Sequence, residues 1–427
     1  PLTYFTFWVN HRLGEANPRG YHAVNLAIHL GAVLAAWSAF RRILAARGAL
    51  IAAAIFALHP LQSEAVAYVF ARATLLGTLF CLLAWRDWLN GRWWRAAGWF
   101  ALGLLAKEEC VAFPLFLLAL EWVQGRRRVP LPLAAMLSAS VAAGARLLYV
   151  AGRTAGAGLG AAAGIDAWTY IQSQPKVICH YLFLFLCPVG QNFDHDVRPD
   201  WLSGVAAAAL IALIFVAWRR LNQGGIWVLG ALVLLAPSSS VIPVADVMFE
   251  HRMYLPLVSL SVAAAMALEG RRWLLPAVLA LLLAVATGSR ASVWRNDLTL
   301  WSDAAAKSPN KSRPKLQLAR ALATADPARA QALILEARRL EPSNPETFTQ
   351  MGALLLERNP VLALAEFDQA LRLLPRSPDA HSNRGTALYL LRRTPEAEAA
   401  FVGALELDPA HKNARHNLDL LRGAGRR

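Results

Sequence analysis

The sequence predicts an all-α protein, with a polytopic α-helical membrane domain over residues 1–289 and an α-solenoid over residues 290–427. Of the 427 residues, 56% are hydrophobic and only 17% are charged, whereas soluble domains have about 45–50% apolar and about 25% charged residues. Long apolar runs separated by short arginine clusters fill the first part, and a repeat of helical segments fills the second. The chain therefore cannot be one water-soluble globule.

About ten apolar segments of the first part cross or nearly cross a bilayer, for which about 20 residues are normally needed. They are 21–40, 48–58, 64–85, 94–106, 110–123, 130–150, 201–218, 226–243, 254–269 and 273–288. A further segment, 169–190, is apolar only after Pro175 and is too short to span alone. We expect it to form a re-entrant or interfacial helix on the outer face.

Arginine clusters fix the expected orientation of these segments. If residues 1–20 lie outside, every inner loop carries basic residues, as the positive-inside rule requires. The inner clusters are 41–47, 86–95, 126–128, 219–220 and 271–272. The net charge of +15 then comes partly from loops that orient the chain in the membrane, and does not indicate nucleic-acid binding. Because the number of crossings is even, we expect residues 290–427 to lie outside as well.

A period of 33 to 34 residues predicts the solenoid. Helical segments end at Pro309, Pro342, Pro375 and Pro409. The eighth residue before each proline is bulky, the fifth is alanine, and Gly352 and Gly385 repeat at the same spacing. This pattern is typical of tetratricopeptide repeats, in which small residues let paired helices approach. We predict a half repeat over 295–308, three full repeats and a closing helix over 410–422.

The cysteine and histidine positions predict neither a disulfide framework nor a metal site. Cys81, Cys110, Cys179 and Cys187 occur in apolar segments without CxxC spacing. The histidines nearest to acidic residues, at positions 59, 195 and 251, are too dispersed along the chain to indicate ligand spacing.

Acidic and basic residues gather in four clusters on the expected outer side. They are His59, Glu64, Tyr68 and Arg72; Lys107, Glu108 and Glu109; Asp194, His195, Asp196, Arg198 and Asp200; and Asp246, Glu250, His251, Arg252 and Tyr254. Charges at membrane depth are usually retained for a substrate pathway or for mutual pairing. Cations beside carboxylates suit a phosphate leaving group and an attacking hydroxyl. The alternative is that Glu64 pairs with Arg72, and Glu250 with Arg252, only to neutralise charge.

Six motifs followed by repeats resemble one family. They are PLTYFTFWVN, GYHAVNLAIHL, HPLQSEAVAYVFARATLL, LAKEECVAFP, FEHRMYLP and VWRNDLTLWSDAAAKSPN. In this order they look like the transmembrane and tetratricopeptide repeat O-mannosyltransferases and their bacterial relatives, of the type C glycosyltransferase superfamily. The resemblance implies a polytopic enzyme that takes a sugar from a polyprenyl-phosphate lipid on the non-cytoplasmic face.

The resemblance also implies roles for particular residues. The cations expected to stabilise the donor phosphate are Arg72, Lys107 and Arg252. The residues expected to have supporting catalytic roles are Glu64, Glu108 and Glu250, and those expected to bind substrate are His59 and Tyr254. The family's first helix, and an outer loop with an acidic catalytic base, are expected upstream of Pro1, so the fragment itself is expected to lack activity. His251 interrupts the usual Glu-Arg adjacency. Divalent metal use varies in the superfamily, so a metal remains possible.

The leading hypothesis is transfer of mannose or a similar hexose to a hydroxyl, with Ser/Thr of a protein held by the repeats as acceptor. The expected location is a bacterial inner membrane, with the repeats in the periplasm. Two alternatives stay open: a related transferase that modifies lipid or polysaccharide, and a non-enzymatic scaffold that presents the repeats.

Overall fold

A computed structural model describes residues 1–151, 165–239, 243–244 and 246–424 of the chain. The chain divides into two compact units, Pro1–Trp294 and Arg295–Arg427. The composition change predicts this boundary near residue 289, but the last apolar helix continues to Val293. Each unit is built from α-helices, so the predicted all-α class is confirmed.

The first unit contains thirteen α-helices in its described residues. They are α1 (Leu2–Gly14), α2 (Pro18–Phe40), α3 (Ala46–Leu58), α4 (Gln62–Ala67), α5 (Arg72–Leu89), α6 (Trp93–Ala106), α7 (Phe113–Val123), α8 (Leu131–Ala151), α9 (Ala167–Leu186), α10 (Trp201–Arg219), α11 (Gly225–Leu235), α12 (Tyr254–Leu268) and α13 (Leu274–Val293). Short 3-10 turns at Val69–Ala71, Glu108–Ala112 and Glu250–Met253 lead into α5, α7 and α12.

Six helical stretches have the length and composition to cross a membrane. They are Pro18–Phe40, Val69–Leu89, Leu131–Val150, Trp201–Arg219, Glu250–Leu268 and Leu274–Val293. The other four expected crossings correspond to α3, α6, α7 and α11, which have 13, 14, 11 and 11 residues and are shorter than a span requires. Helix α11 ends at Leu235, although the sequence predicts a crossing to residue 243; residues 240–242 lie outside the described part.

Helix α9 covers most of the segment 169–190, for which the sequence predicts a re-entrant or interfacial helix. Asp166 caps its start by accepting a hydrogen bond from the backbone N–H of Thr169 at 2.9 Å. The helix then continues through Pro175 as far as Leu186. The polar residues before Pro175 are therefore helical as well, and α9 is not one of the described helices whose length and composition suit a membrane crossing.

Two of the six stretches form the centre of the first unit. In the most apolar windows of Val69–Leu89 and Glu250–Leu268, 61% and 72% of the residues are buried, compared with 11–17% for the stretches of α8, α10 and α13. Helices α5 and α12 are therefore enclosed by protein, whereas α8, α10 and α13 expose most of their apolar surface.

The second unit is the predicted tetratricopeptide solenoid. Its helices are α14 (Asp297–Lys307), α15 (Ser312–Leu322), α16 (Pro327–Leu340), α17 (Pro345–Leu355), α18 (Pro360–Leu373), α19 (Pro378–Leu390), α20 (Thr394–Leu407) and α21 (Lys412–Ala424). Helix α14 is the half repeat, three pairs follow, and α21 closes the array. Helices α16 to α19 begin with the same sequence pattern, in which an Asp, Asn or Ser N-cap is followed by proline at the first helical position.

Glycine is required where paired helices of the solenoid come closest. A Cβ atom on Gly352 would lie 2.6 Å from the ring of Phe367, and one on Gly385 would lie 2.7 Å from the ring of Phe401. Both rings are at most 2% exposed, so they have little room to move. In each of these two pairs, the glycine of the first helix thus packs directly against the phenylalanine of the second.

We expect Gly352→Ala to loosen the α17 and α18 pair, because overpacking of a close contact costs about 1–3 kcal/mol. Gly403→Ala is the matched control, since its Cβ would meet its nearest neighbour at 3.8 Å and alanine favours a helix by about 0.5–1 kcal/mol. Amide hydrogen exchange of the whole chain measures both effects. Equal protection of α17 in the two variants would contradict this packing account.

Candidate functional site

Two buried carboxylates that are distant in sequence meet at the turn before α12. Glu64 of α4 is 1% exposed and Glu250 is fully buried. The Oε2 atom of Glu64 accepts a hydrogen bond from the backbone N–H of Glu250 at 2.9 Å, and its Oε1 atom lies 2.5 Å from Nδ1 of His251. Glu64 therefore fixes the start of the 3-10 turn that carries Arg252.

The carboxylate of Glu250 points to a different segment, the loop after α9. Its Oε1 atom accepts from the backbone N–H of Asn192 at 2.6 Å and lies 3.0 Å from Nε2 of His195, while its Oε2 atom accepts from the amide of Gln191 at 2.8 Å. Several donors on one carboxylate stabilise its charged form inside a protein. The turn and the loop are thus held together by a buried ionic network.

Lys107 and Arg252 line one small cavity with Glu109, Thr74 and Thr78. The Nζ atom of Lys107 is 3.7 Å from a carboxylate oxygen of Glu109. That carboxylate raises the pKa of Lys107 above its usual value, although burial opposes the shift. The hydroxyl of Thr74 is buried and has no hydrogen-bond partner among the described residues. Two cations and one carboxylate line this cavity, which has a volume of about 10 Å³, room for about one water molecule.

Arg252 is held by backbone oxygens rather than by an acid. Its guanidinium donates to the carbonyl oxygens of Asp246 at 2.7 Å, Val247 at 3.0 Å and Ser238 at 3.3 Å. These contacts fix the position of the guanidinium, and the carboxylates of Glu109 and Asp246 lie close enough to attract its charge. The alternative pairing of Glu250 with Arg252 is not formed.

A glycine on α5 allows the Lys107 segment to approach the cavity. A Cβ atom on Gly77 would lie 2.8 Å from Sγ of Cys110 and 3.1 Å from Cβ of Lys107. Any larger side chain at this position would push the turn Glu108–Ala112 away from α5. The close approach places Lys107 beside the hydroxyls of Thr74 and Thr78, which lie one helical turn apart on α5.

Arg72 lies in a separate network, which corrects its expected role. Its fully buried guanidinium donates to Oδ1 of Asn25 at 2.8 Å, to Oδ1 of Asn10 at 2.6 Å and to the carbonyl oxygen of Tyr21 at 3.0 Å. It also lies 4.5 Å from the ring centre of Phe7. These contacts tie α1, α2 and α5 together. Arg72 therefore neither pairs with Glu64 nor lines the cavity.

His59 and Tyr254 are also structural rather than open to a substrate. The Nε2 atom of His59 lies 3.0 Å from the carbonyl oxygen of Phe185, and its Nδ1 atom accepts from the backbone N–H of Leu61 at 3.2 Å. The hydroxyl of Tyr254 lies 2.7 Å from Nδ1 of His29, and Tyr254 is fully buried. The polar atoms of both side chains are thus satisfied inside the bundle.

Several site members were missed or misassigned from sequence. Glu108 is exposed, and its neighbour Glu109 is the carboxylate in contact with Lys107. His251, which interrupts the expected Glu-Arg pair, is the partner of Glu64. The available signal for Thr74 was a hydroxyl pair four residues apart on an otherwise apolar helix. Within the described ranges, no group of three His, Cys, Asp or Glu side chains is arranged to hold a metal ion.

The second unit has its own groove, with a volume of about 790 Å³. Its polar lining comes from the first helix of each pair and from α21, and includes Gln350, Asn383 and Asn413. At one side Arg320 pairs with Glu346 at 2.9 Å. The carbonyl oxygen of the Gln350 amide is buried without a partner among the residues that the structure describes. Such side-chain amides can hydrogen-bond the backbone of an extended peptide.

Burial lowers the pKa of His59 to about 4, although the hydrogen bond to Phe185 and the charge of Glu250 both act to raise this pKa. The folded chain thus keeps His59 neutral where an unfolded chain, with a pKa of about 6.5, takes up a proton. We expect this site to lower stability as the pH falls from about 6.5 to about 4, by about 1.4 kcal/mol per pH unit. Unfolding in detergent across this range measures the loss.

His59→Asn should reduce that pH dependence, although the variant starts from a lower stability. His22→Asn, at an exposed position on α2, is the control and should keep the wild-type dependence. Identical pH dependence in the His59→Asn and wild-type chains would rule out a neutral, buried His59.

Comparison with known proteins gives matches to one kind of enzyme. No protein-family model matches the chain. It is 24% identical to a mouse protein named protein O-mannosyl-transferase TMTC3, over 96% of this chain and 48% of that protein. It is 40% identical to the Caenorhabditis elegans protein O-mannosyl-transferase F38B6.6, over 20% of this chain and 13% of that protein. The chain thus spans about half of the mouse protein.

Among solved structures, the tetratricopeptide domain of Arabidopsis OM64 covers 26% of this chain and 94% of its own, with 27% identity and a TM-score of 0.25. The sequence matches reach far beyond the repeats, because the alignment with the mouse protein includes the membrane unit. The resemblance predicted from the motifs is therefore confirmed: nearly the whole chain is similar to the mouse protein, and parts of it to other proteins named protein O-mannosyl-transferases.

Proposed function

We propose that this protein is a membrane glycosyltransferase that moves mannose or a similar hexose from a polyprenyl-phosphate donor to a Ser/Thr hydroxyl of a protein. The observation that carries the proposal is the cavity in which Lys107 and Arg252 face a single carboxylate, Glu109. A phosphate-linked donor supplies the anion that this arrangement favours. The names of the similar proteins support the same reaction class.

The cations would act on the leaving group. When the acceptor hydroxyl attacks C1 of the sugar, its proton passes to a general base, the bond from C1 to the phosphate oxygen breaks, and negative charge grows on the lipid phosphate. Lys107 and Arg252 stabilise that charge most strongly as it develops, because both are fixed in a site of low dielectric constant. The buried hydroxyl of Thr74 can donate to the same phosphate.

In this proposal Glu64 and Glu250 are positioning residues. Glu64 holds the N-terminus of the turn Glu250–Met253, and Glu250 joins that turn to the loop carrying Asn192. Together they set the place of Arg252 relative to Lys107. Loss of either carboxylate would move the guanidinium and leave buried donors without an acceptor.

The expected topology places donor site and repeats in one compartment. If the short helices α3, α6, α7 and α11 also cross the membrane, the arginine clusters share one side. The positive-inside rule then favours the cytoplasmic side for those loops and the non-cytoplasmic side for Lys107. We propose a multi-pass protein of the bacterial inner membrane, with the repeats in the periplasm. The amide-lined groove of the second unit would hold the acceptor protein as an extended segment.

Lys107→Met should lower the turnover of sugar transfer by about 10²–10³-fold, since the substitution keeps most of the volume but removes one cation from the leaving group. The assay supplies polyprenyl-phosphate mannose and a Ser/Thr acceptor to membranes that contain the full-length protein. Lys176→Met is the matched control, because Lys176 pairs with Asp200 at 2.7 Å outside the cavity. Membrane insertion should be unchanged in both variants.

Wild-type turnover in Lys107→Met would remove this residue from the site. Transfer to a lipid or polysaccharide instead of a Ser/Thr hydroxyl would favour the related transferase. A wild-type protein that binds a partner through its repeats but transfers no sugar would favour the scaffold.

Acceptor binding by the groove has a separate test. Asn383→Ala combined with Asn413→Ala should raise the KM for a protein acceptor about tenfold, since two hydrogen bonds of about 0.5–1.5 kcal/mol each are lost. The kcat should stay unchanged. Asn417→Ala is the control, because its amide donates to the hydroxyl of Thr386 within the repeat. An unchanged KM in the double variant would exclude the groove as the acceptor site.

A further inference from the structure

The first unit contains a second cavity, at the other end of α5 from Lys107. It has a volume of about 330 Å³ and is lined by Trp85, Trp88 and Trp227 together with Arg42 and Glu121. Trp88 lies fourteen residues after Thr74 on α5, which is about 21 Å along a helix. The two cavities are therefore separate sites, and this one falls within the size range of ligand pockets, about 300–1,000 Å³.

The lining of this cavity is aromatic inside and polar at its edge. Its interior is formed by the three indole rings and by leucines from α5 and α7. Trp85 is 1% exposed, and its indole N–H has no acceptor among the described residues. A buried donor of this kind is normally satisfied. An apolar ligand that also carries an acceptor oxygen would satisfy both the walls and the indole.

The acidic side chains around the cavity already have partners, whereas one of its cations has none among the described residues. Glu121 is already used, since it accepts from the indole N–H of Trp88 at 2.9 Å and from Arg126 at 3.3 Å. Asp87, nearby on α5, is in contact with Arg86, Arg92 and Arg95. Arg42 is exposed and makes no hydrogen bond or ion pair through its side chain in the described part of the chain. The cation at the cavity edge is thus available to an anionic group.

We propose that this cavity binds an anionic phospholipid, with one acyl chain among the tryptophans and the phosphate beside Arg42. The apolar walls exclude a ligand that is charged throughout, and the arginine-rich loops attract anionic head groups at the membrane surface. An ester or phosphate oxygen of the lipid supplies the acceptor for Trp85. The lipid belongs to the fold rather than to the reaction, so this site does not depend on the proposed sugar transfer.

Native mass spectrometry of the full chain, with phosphatidylglycerol and phosphatidylcholine of identical acyl chains, tests the proposal. We expect phosphatidylglycerol to bind more tightly, and Arg42→Gln to weaken it about fivefold, the effect of one arginine at a membrane surface. Arg41→Gln is the matched control, since Arg41 is stacked on Trp37 at 5.3 Å and does not line the cavity. It should leave the affinity unchanged.

Trp85→Phe tests the interior of the cavity, because it removes the N–H donor and keeps an aromatic ring. We expect it to weaken phosphatidylglycerol about fivefold. Equal affinity for the two lipids, equal effects of the Arg41 and Arg42 variants, or full displacement of the lipid by inorganic phosphate would each overturn the proposal. Sugar transfer is not part of these measurements, so their failure would leave the proposed enzyme activity standing.

Discussion

The contact between Glu64 and the turn before α12 is the interaction on which the rest of the first unit depends. A carboxyl group is costly to bury unless hydrogen-bond partners surround it. Glu64 meets this requirement by accepting the backbone N–H of Glu250 and by pairing with His251. In doing so it joins α4 to α12 and sets the start of the turn that carries Arg252. The site geometry is therefore a consequence of how this chain satisfies a buried charge.

Local patterns allowed most of the fold to be predicted. The solenoid followed from a period of 33 to 34 residues, and two of its three repeats share one packing contact, Gly352 with Phe367 and Gly385 with Phe401. The apolar segments of the first unit also contain helices near the expected positions. Helix boundaries were harder to predict. Pro175 lies inside a helix because the residues before it have their own cap, and four of the ten expected crossings are helices of only 11–14 residues.

The site was harder to predict, because its partners are distant in sequence. Choosing Lys107, Glu64, Glu250 and Arg252 was possible, but their pairing was not: Glu64 and the backbone of Glu250 are 186 residues apart. Residue type also could not distinguish an arginine that holds the fold together from one that lines the cavity. Arg72, the third expected cation, satisfies amides and carbonyls in the core. A buried polar residue needs partners whether it holds the fold together or faces a ligand.

Hydropathy carries a further signal that could have separated the central helices from the outer ones. The two least apolar stretches, Glu250–Leu268 and Val69–Leu89, have mean hydropathies of 1.2 and 1.4 and are 72% and 61% buried. The most apolar, Trp201–Arg219, has a value of 2.2 and is 11% buried. In a membrane, lipid is the apolar solvent, so polar residues are placed where protein can satisfy them. The stretches with the weakest membrane signal are therefore the ones that carry Thr74 and Arg252 of the candidate site.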